Sequence, residues 1–441
     1  MKKIASFFLF FLVFIVFLSA GTSLTFAASS IYKDTLDNGL TVIVQEVHSS
    51  PLVSVNIFVR AGGFTEDSKI SGISHFYEHL FFRGTGQRTG AQMKSEIESL
   101  GGQTNAETTK DMTHFYINIP SKYWREAVEI LADSLKNNNF EADEVDQERK
   151  VVLDEMRLTE ESPSSYLANK LFTLAYQVHP YKMSVIGTME TVGRLNRDDF
   201  IAYKKRFYVP QNTIVLIIGD VKRENVLSYL KKQFADYKSD SFTPPEIPEE
   251  PPLTGNIEKV VEKRTKNAMF AVAYRAPGIK DREDIYALDV LTFMMGEGSG
   301  AILNREIEDK EGLVWSIGAD FQTMKYPGLF MITANLPPEN VDKAKTEVFK
   351  IINDVKAGKF SDTDILRAKN FLINTYEFGN ETNAGKASTY GFYETVDSVD
   401  FANTYLDNIS RVNRKRITEV ANKYFTNYVY LLIKPRSEDK E

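Results

Sequence analysis

The stretch Ser71-Gly72-Ile73-Ser74-His75-Phe76-Tyr77-Glu78-His79-Leu80-Phe81-Phe82 decides how the chain reads. On an α-helix, positions i and i+4 project from one face, so His75 and His79 can offer ring nitrogens to the same metal ion. Glu78 neighbours both and can take a proton from a water molecule held there without being a ligand itself. The order His-x-x-Glu-His is the inverse of the His-Glu-x-x-His zinc motif. The chain has only 5 His in 441 residues, and two of them fall inside these five positions. The flanks are apolar, and an imidazole without a partner on such a helix is costly.

Length and composition bound the rest. A chain of 441 residues exceeds one ordinary core, and 43% hydrophobic with 26% charged residues is a folded, globular balance. Lys2 and Lys3 precede the apolar run Phe7 to Leu18, and Thr25-Phe26-Ala27-Ala28 offers a cleavage site with Ala27 the preferred last residue. We therefore expect export, to the periplasm in a cell with two membranes and to the surface or medium in a cell with one. Membrane attachment would arise only if this segment stayed uncleaved as an anchor. The absence of Cys excludes disulfides and thiolate ligands, leaving His, carboxylate and water to hold any zinc. The formal net charge of −7, or −9 without Lys2 and Lys3, argues against nucleic acid as a partner.

Alternating patterns predict strands at Leu40–Gln45, Leu52–Arg60, Thr113–Ile119 and Thr213–Ile218. Helices are expected at Met93–Leu100, Trp124–Lys136, Glu144–Glu160 and Arg223–Phe234. From Ser239 to Thr254 the sequence carries five prolines and three glutamates, which suits neither a helix nor a central strand and reads as a stiff, extended linker. Beyond it the chain repeats itself. Asn138-Asn139-Phe140-Glu141 resembles Gly358-Lys359-Phe360-Ser361, and His79 to Gly86 aligns with Leu291 to Gly298 with both glycines kept. His75, Glu78 and His79 then correspond to Ala287, Val290 and Leu291, so the second half has lost every metal-site group. The expected organisation is a signal peptide (1–28), a metal-bearing domain (29–238), a linker (239–255) and a domain without the motif (256–441).

Two histidines leave a tetrahedral zinc site short of a protein ligand, with a further position open for water. Glu148 and Glu155, seven residues apart on one face of the predicted Glu144–Glu160 helix, are the candidates. The chain resembles the M16 peptidases, the pitrilysin and mitochondrial processing peptidase group, over essentially its whole mature length. The resemblance rests on His75-x-x-Glu78-His79, on Glu155 standing 76 residues beyond His79 where the family carries its third ligand, and on segments that follow in order. These are Gly102 to Thr108, His179-Pro180-Tyr181 with Ile186-Gly187-Thr188, and Phe207 to Asn212. The resemblance implies His75, His79 and Glu155 as ligands of one zinc per chain, Glu78 as the catalytic base, and Glu148 as the acidic residue beside the site. It implies an α+β fold of two homologous halves, each a sheet backed by helices, joined by the Pro-rich linker and closing around a chamber. It also implies that an unfolded peptide adds as a strand at Asn105 and Ala106, the family's edge-strand segment. His48, His114 and His179 are assigned to no metal.

One departure stands out. The family's second half commonly supplies an Arg and a Tyr, seven residues apart, that hold substrate and stabilise the tetrahedral intermediate. Here Glu308 and Trp315 occupy those positions, and neither can do that work. Arg305, one helical turn before Glu308, is the nearest substitute. The expectation is a zinc endopeptidase subunit that needs a homologous partner carrying Arg and Tyr, in a heterodimer or else a homodimer. A zinc hydrolase of non-peptide amides and a non-catalytic assembly subunit are the rival readings.

Overall fold

Every position of Thr213-Ile214-Val215-Leu216-Ile217-Ile218-Gly219 is buried, which a strand sustains only where both faces of its sheet are covered. The computed structural model describes residues 30–239 and 241–436; the expected signal segment lies outside them. The first sheet comprises β1 (Ile31–Thr35), β2 (Thr41–Glu46), β3 (Leu52–Val59), β4 (Gln103–Thr108), β5 (Thr113–Pro120) and β6 (Thr213–Gly219), in the order β1-β2-β6-β3-β5-β4. The second comprises β7 (Ile257–Lys263), β8 (Ala268–Arg275), β9 (Ser316–Phe321), β10 (Leu329–Leu336) and β11 (Tyr428–Pro435), in the order β7-β11-β8-β10-β9.

The internal repeat seen in the sequence is a repeat of topology. Without β1, the first sheet reads β2-β6-β3-β5-β4, and each strand has a counterpart in β7-β11-β8-β10-β9. Even the single parallel pairing recurs, β2 with β6 and β7 with β11, every other ladder being antiparallel. Ala287, Val290 and Leu291, the counterparts of the metal-site groups, are fully buried in the second core.

Side-chain alternation assigns the two faces. On β3, Val53, Val55, Ile57 and Val59 join the first half's own helices in one core. Phe58 points the other way, into a cluster with Ala387 and Val399 of the second half. The helix Asn383–Val396 covers that face of β3 and β6, while Pro163–Ala175 of the first half covers β8 and β11. The halves thus exchange equivalent helices across equivalent strands. Gly391 permits the contact, because a Cβ there would stand 2.1 Å from the Phe58 ring, itself stacked on His114 at 3.8 Å.

Between Gln233 and Ile257 the described residues form neither helix nor strand. Glu250 in this segment accepts from the amides of Gln177, Val178 and His179 and pairs with Arg275 at 2.9 Å, tying the connector to both halves. Among the described residues no helix is long and apolar enough to cross a membrane.

Candidate metal centre

The helix Ile73–Phe81 buries Ile73, Phe76, Tyr77, Leu80 and Phe81 on one side, which turns His75, Glu78 and His79 to the other. Its start is fixed from two directions. Gly72 takes φ 92°, and a Cβ there would meet the Ile186 carbonyl at 2.6 Å and the Gly187 Cα at 2.8 Å. The segments Ser71-Gly72 and Ile186-Gly187 therefore pack backbone on backbone, a contact open to glycine. Glu66, buried, accepts from the amides of Gly72 at 2.7 Å and Ser74 at 2.9 Å, satisfying donors that a helix N-terminus leaves free. Burial outweighs these bonds and the charge of Lys110, and raises the Glu66 pKa to about 7.

Glu155 comes from the helix Ala142–Glu161, which buries Val145, Glu148, Val152 and Met156. Its carboxylate oxygens lie 3.8 Å from Nε2 of His75 and 3.5 Å from Nε2 of His79. One donor atom from each of these three residues lies within 4.8 Å of the others, and the three form the group found among the described residues that could hold a metal ion. The imidazoles are 13% and 18% exposed and Glu155 45%, so the cluster opens on its carboxylate side.

Behind His79, Glu148 stands 3.3 Å from Nδ1, and its other oxygen lies 2.6 Å from Arg83 Nη2. A carboxylate on Nδ1 leaves Nε2 with its lone pair facing Glu155. Burial lowers the His79 pKa, but the Glu148 bond and the surrounding carboxylates more than offset it, so the net shift is upward. Burial, with the neighbouring His79, holds His75 down at about 4, so this imidazole is neutral and available as a ligand at physiological pH. Burial raises the Glu78 carboxyl, partly offset by a hydrogen bond from the Thr108 hydroxyl to Oε2 at 2.7 Å. Two imidazole nitrogens and a carboxylate, with a backing carboxylate on one ring, suit zinc.

Glu78 and His79 open into a cavity of about 1190 Å³ whose lining also includes Phe82, Arg83, Met93, Ile97, Asn105 and Ala106. Every lining residue belongs to the first half, between Glu78 and Gln147. Asn105 and Ala106 lie on β4, which ends the sheet and pairs with β5 alone. Its outer edge carries unpaired backbone groups.

The remaining histidines are engaged elsewhere. His48 contacts Asp220 at 2.7 Å, His114 bridges Glu107 and Asn56 at 2.9 Å each, and His179 Nδ1 accepts from the Tyr181 amide. In the second half, Glu308 accepts from Asn304, Arg305 pairs with Asp364 at 2.9 Å, and Trp315 is half exposed. Sequence reasoning did not identify Glu66, Arg83 or Thr108. Nothing in their types or spacing marks them, since each acts through a long-range contact.

Comparison with known proteins identifies the family. Residues 41–189 match the profile described as Insulinase (Peptidase family M16), and residues 194–372 match that described as Peptidase M16 inactive domain. The chain belongs to the M16 peptidase family. A probable mitochondrial-processing peptidase subunit beta of Arabidopsis thaliana is 29% identical over 348 residues, 77% of this chain and 65% of that protein. The zinc protease PqqE of Helicobacter pylori is 26% identical over 91% of this chain and 92% of its own. A crystal structure of a protease from Helicobacter pylori superposes with a TM-score of 0.88 at 26% identity, covering 92% of this chain and all of that one. At 18% identity and a TM-score of 0.84, a peptidase M16 inactive domain from Pseudomonas fluorescens shares the fold over 92% of this chain and 98% of its own.

Proposed function

We propose that the chain is the metal-bearing subunit of an exported zinc endopeptidase that cleaves peptides or unfolded polypeptides. The observation that carries this reading is the convergence of His75, His79 and Glu155, with Glu78 and His79 lining one cavity. His75, His79 and Glu155 would hold one zinc, and Glu148 would keep His79 in the coordinating tautomer. When bound, zinc supplies a Lewis acid that polarises a carbonyl and acidifies water.

The chain's own residues do the rest. An extended peptide adds to the free edge of β4 beside Asn105 and Ala106, which fixes its backbone and leaves demands on its sequence loose. Glu78 takes a proton from the attacking water and returns it to the leaving amine. Its raised pKa suits both duties. The position of Glu308 and Trp315, and an Arg305 already paired to Asp364, support a homologous partner that supplies Arg and Tyr to the transition state. The relatives named as zinc proteases and as a processing-peptidase subunit are in keeping with this reading.

The test is purification of the mature native protein with any homologue bound to it, followed by metal content and cleavage of unstructured peptides. The expected result is one zinc per chain, weak turnover alone and strong turnover with the partner, abolished by Glu78→Gln. Robust turnover by the lone chain would remove the partner from the account. Zinc without peptide cleavage in either state would remove the peptidase.

A further inference from the structure

We infer that Thr108 is a positioning residue that aims Glu78, and so makes the peptide-binding strand hold the base. The inference rests on the reading of Glu78 as base. Thr108 is the last residue of β4, the strand whose Asn105 and Ala106 line the cavity. Its hydroxyl donates to Glu78 Oε2 at 2.7 Å, and among the described residues no other side chain donates to that carboxylate.

The tether has a physical purpose. A glutamate has three side-chain torsions, and a broad final one leaves an untethered carboxylate to swing. His79 attracts the Glu78 carboxylate while Glu107 and Glu155 act on it with like charge, so electrostatics alone do not fix one rotamer. Committing Oε2 to a hydroxyl leaves Oε1 as the atom that meets water, and proton transfer falls off steeply when the base is misplaced.

The tether also couples two events. The backbone of Thr108 is fixed through its pairing with Thr113 on β5, whose hydroxyl in turn donates to the Ala61 carbonyl at 2.8 Å. A peptide laid along the free side of β4 immobilises the same strand from the opposite edge. The base then reaches its best alignment with substrate in place, and the gain appears in turnover rather than in affinity.

The test compares zinc-loaded wild type, Thr108→Val and Thr108→Ser, each with its partner where the complex is the active form. Valine keeps the shape and strand preference of threonine but loses the hydroxyl. Thr108→Val should lower kcat about 10- to 100-fold, the range typical of residues that orient a functional group, with KM, zinc content and melting temperature unchanged. Thr108→Ser should restore kcat to within about 3-fold of wild type by the same reasoning. An unchanged kcat in Thr108→Val, a loss shared with zinc content, or a serine variant as impaired as valine would overturn the inference. Crystal structures of the zinc-loaded variants separate this from the functional reading. If wild type hydrolyses no peptide, the peptidase fails, yet a Glu78 carboxylate turned aside in Thr108→Val and held in wild type still upholds the positioning role. An unmoved carboxylate ends it.

Discussion

Glu66 is, with Asp289, one of the buried carboxyls through which this fold becomes pH dependent. It is buried, caps the helix that bears the metal motif, and has its pKa raised to about 7 from 4.5. A carboxyl whose folded pKa lies above its unfolded value contributes stability that is full below about 4.5 and is lost as pH rises through 7. Between pH 5.5 and 8 this group should cost the metal-free protein about 2 kcal/mol. Urea unfolding at both pH values checks it. The wild-type change should exceed that of Glu66→Gln by that amount, and equal changes in the two proteins would refute it.

At the scale of elements, the site depends on how the motif helix begins. The backbones of Ser71-Gly72 and Ile186-Gly187 touch, and Thr191 adds a hydrogen bond to the Ser71 carbonyl at 2.7 Å. Gly72→Ala places a methyl group 2.6 Å from a carbonyl at a positive φ, and should destabilise the protein by about 1–3 kcal/mol. Zinc affinity should fall with it, because the helix carries both histidines. Calorimetric melting and zinc titration of the variant measure both; a variant as stable as wild type would show that the contact is slack.

Much at this scale was legible in the sequence. The strands at 41–46, 52–59, 113–120 and 213–219 and the long helices lie within a few residues of their expected bounds, because apolar periodicity is strong where an element faces a core. β4 had no such signal: Gln103-Thr104-Asn105-Ala106-Glu107-Thr108 is polar and largely exposed, and only the family resemblance placed an edge strand there. The helix Pro163–Ala175 was not expected, since the face it buries is met by the second half rather than by its neighbours in sequence. The site divides in the same way. His75, Glu78 and His79 form a short-range pattern that one helix explains. Glu155 and Glu148 needed the family spacing, and Thr108, Arg83 and Glu66 are ordinary polar residues until the chain is folded.

At the scale of the molecule, two homologous halves are locked by exchange. Each sheet is closed by a helix of the other half, and buried Glu394 of the second half pairs with Lys33 at 2.7 Å and Arg60 at 3.3 Å of the first. Removing one member leaves Arg60 largely desolvated without its carboxylate, so Glu394→Ala should cost about 3 kcal/mol. Its signature would be unfolding in two steps where wild type unfolds in one, as the halves lose their coupling. A single transition with unchanged midpoint would mean that the exchanged helices alone hold the halves together. The lost motif in the second half fits this division of labour: Ala287, Val290 and Leu291 complete a core where the first half opens a cavity.

The proposed function stands or falls on His75, His79 and Glu155 binding one zinc with Glu148 behind them. That binding is measured by calorimetric zinc titration of the metal-free protein, wild type beside Glu155→Ala and Glu148→Gln. One zinc per chain is expected, with affinity reduced about 10- to 100-fold by Glu148→Gln and a larger loss for Glu155→Ala. No stoichiometric zinc in wild type, or a Glu155→Ala variant that binds as wild type does, would contradict it.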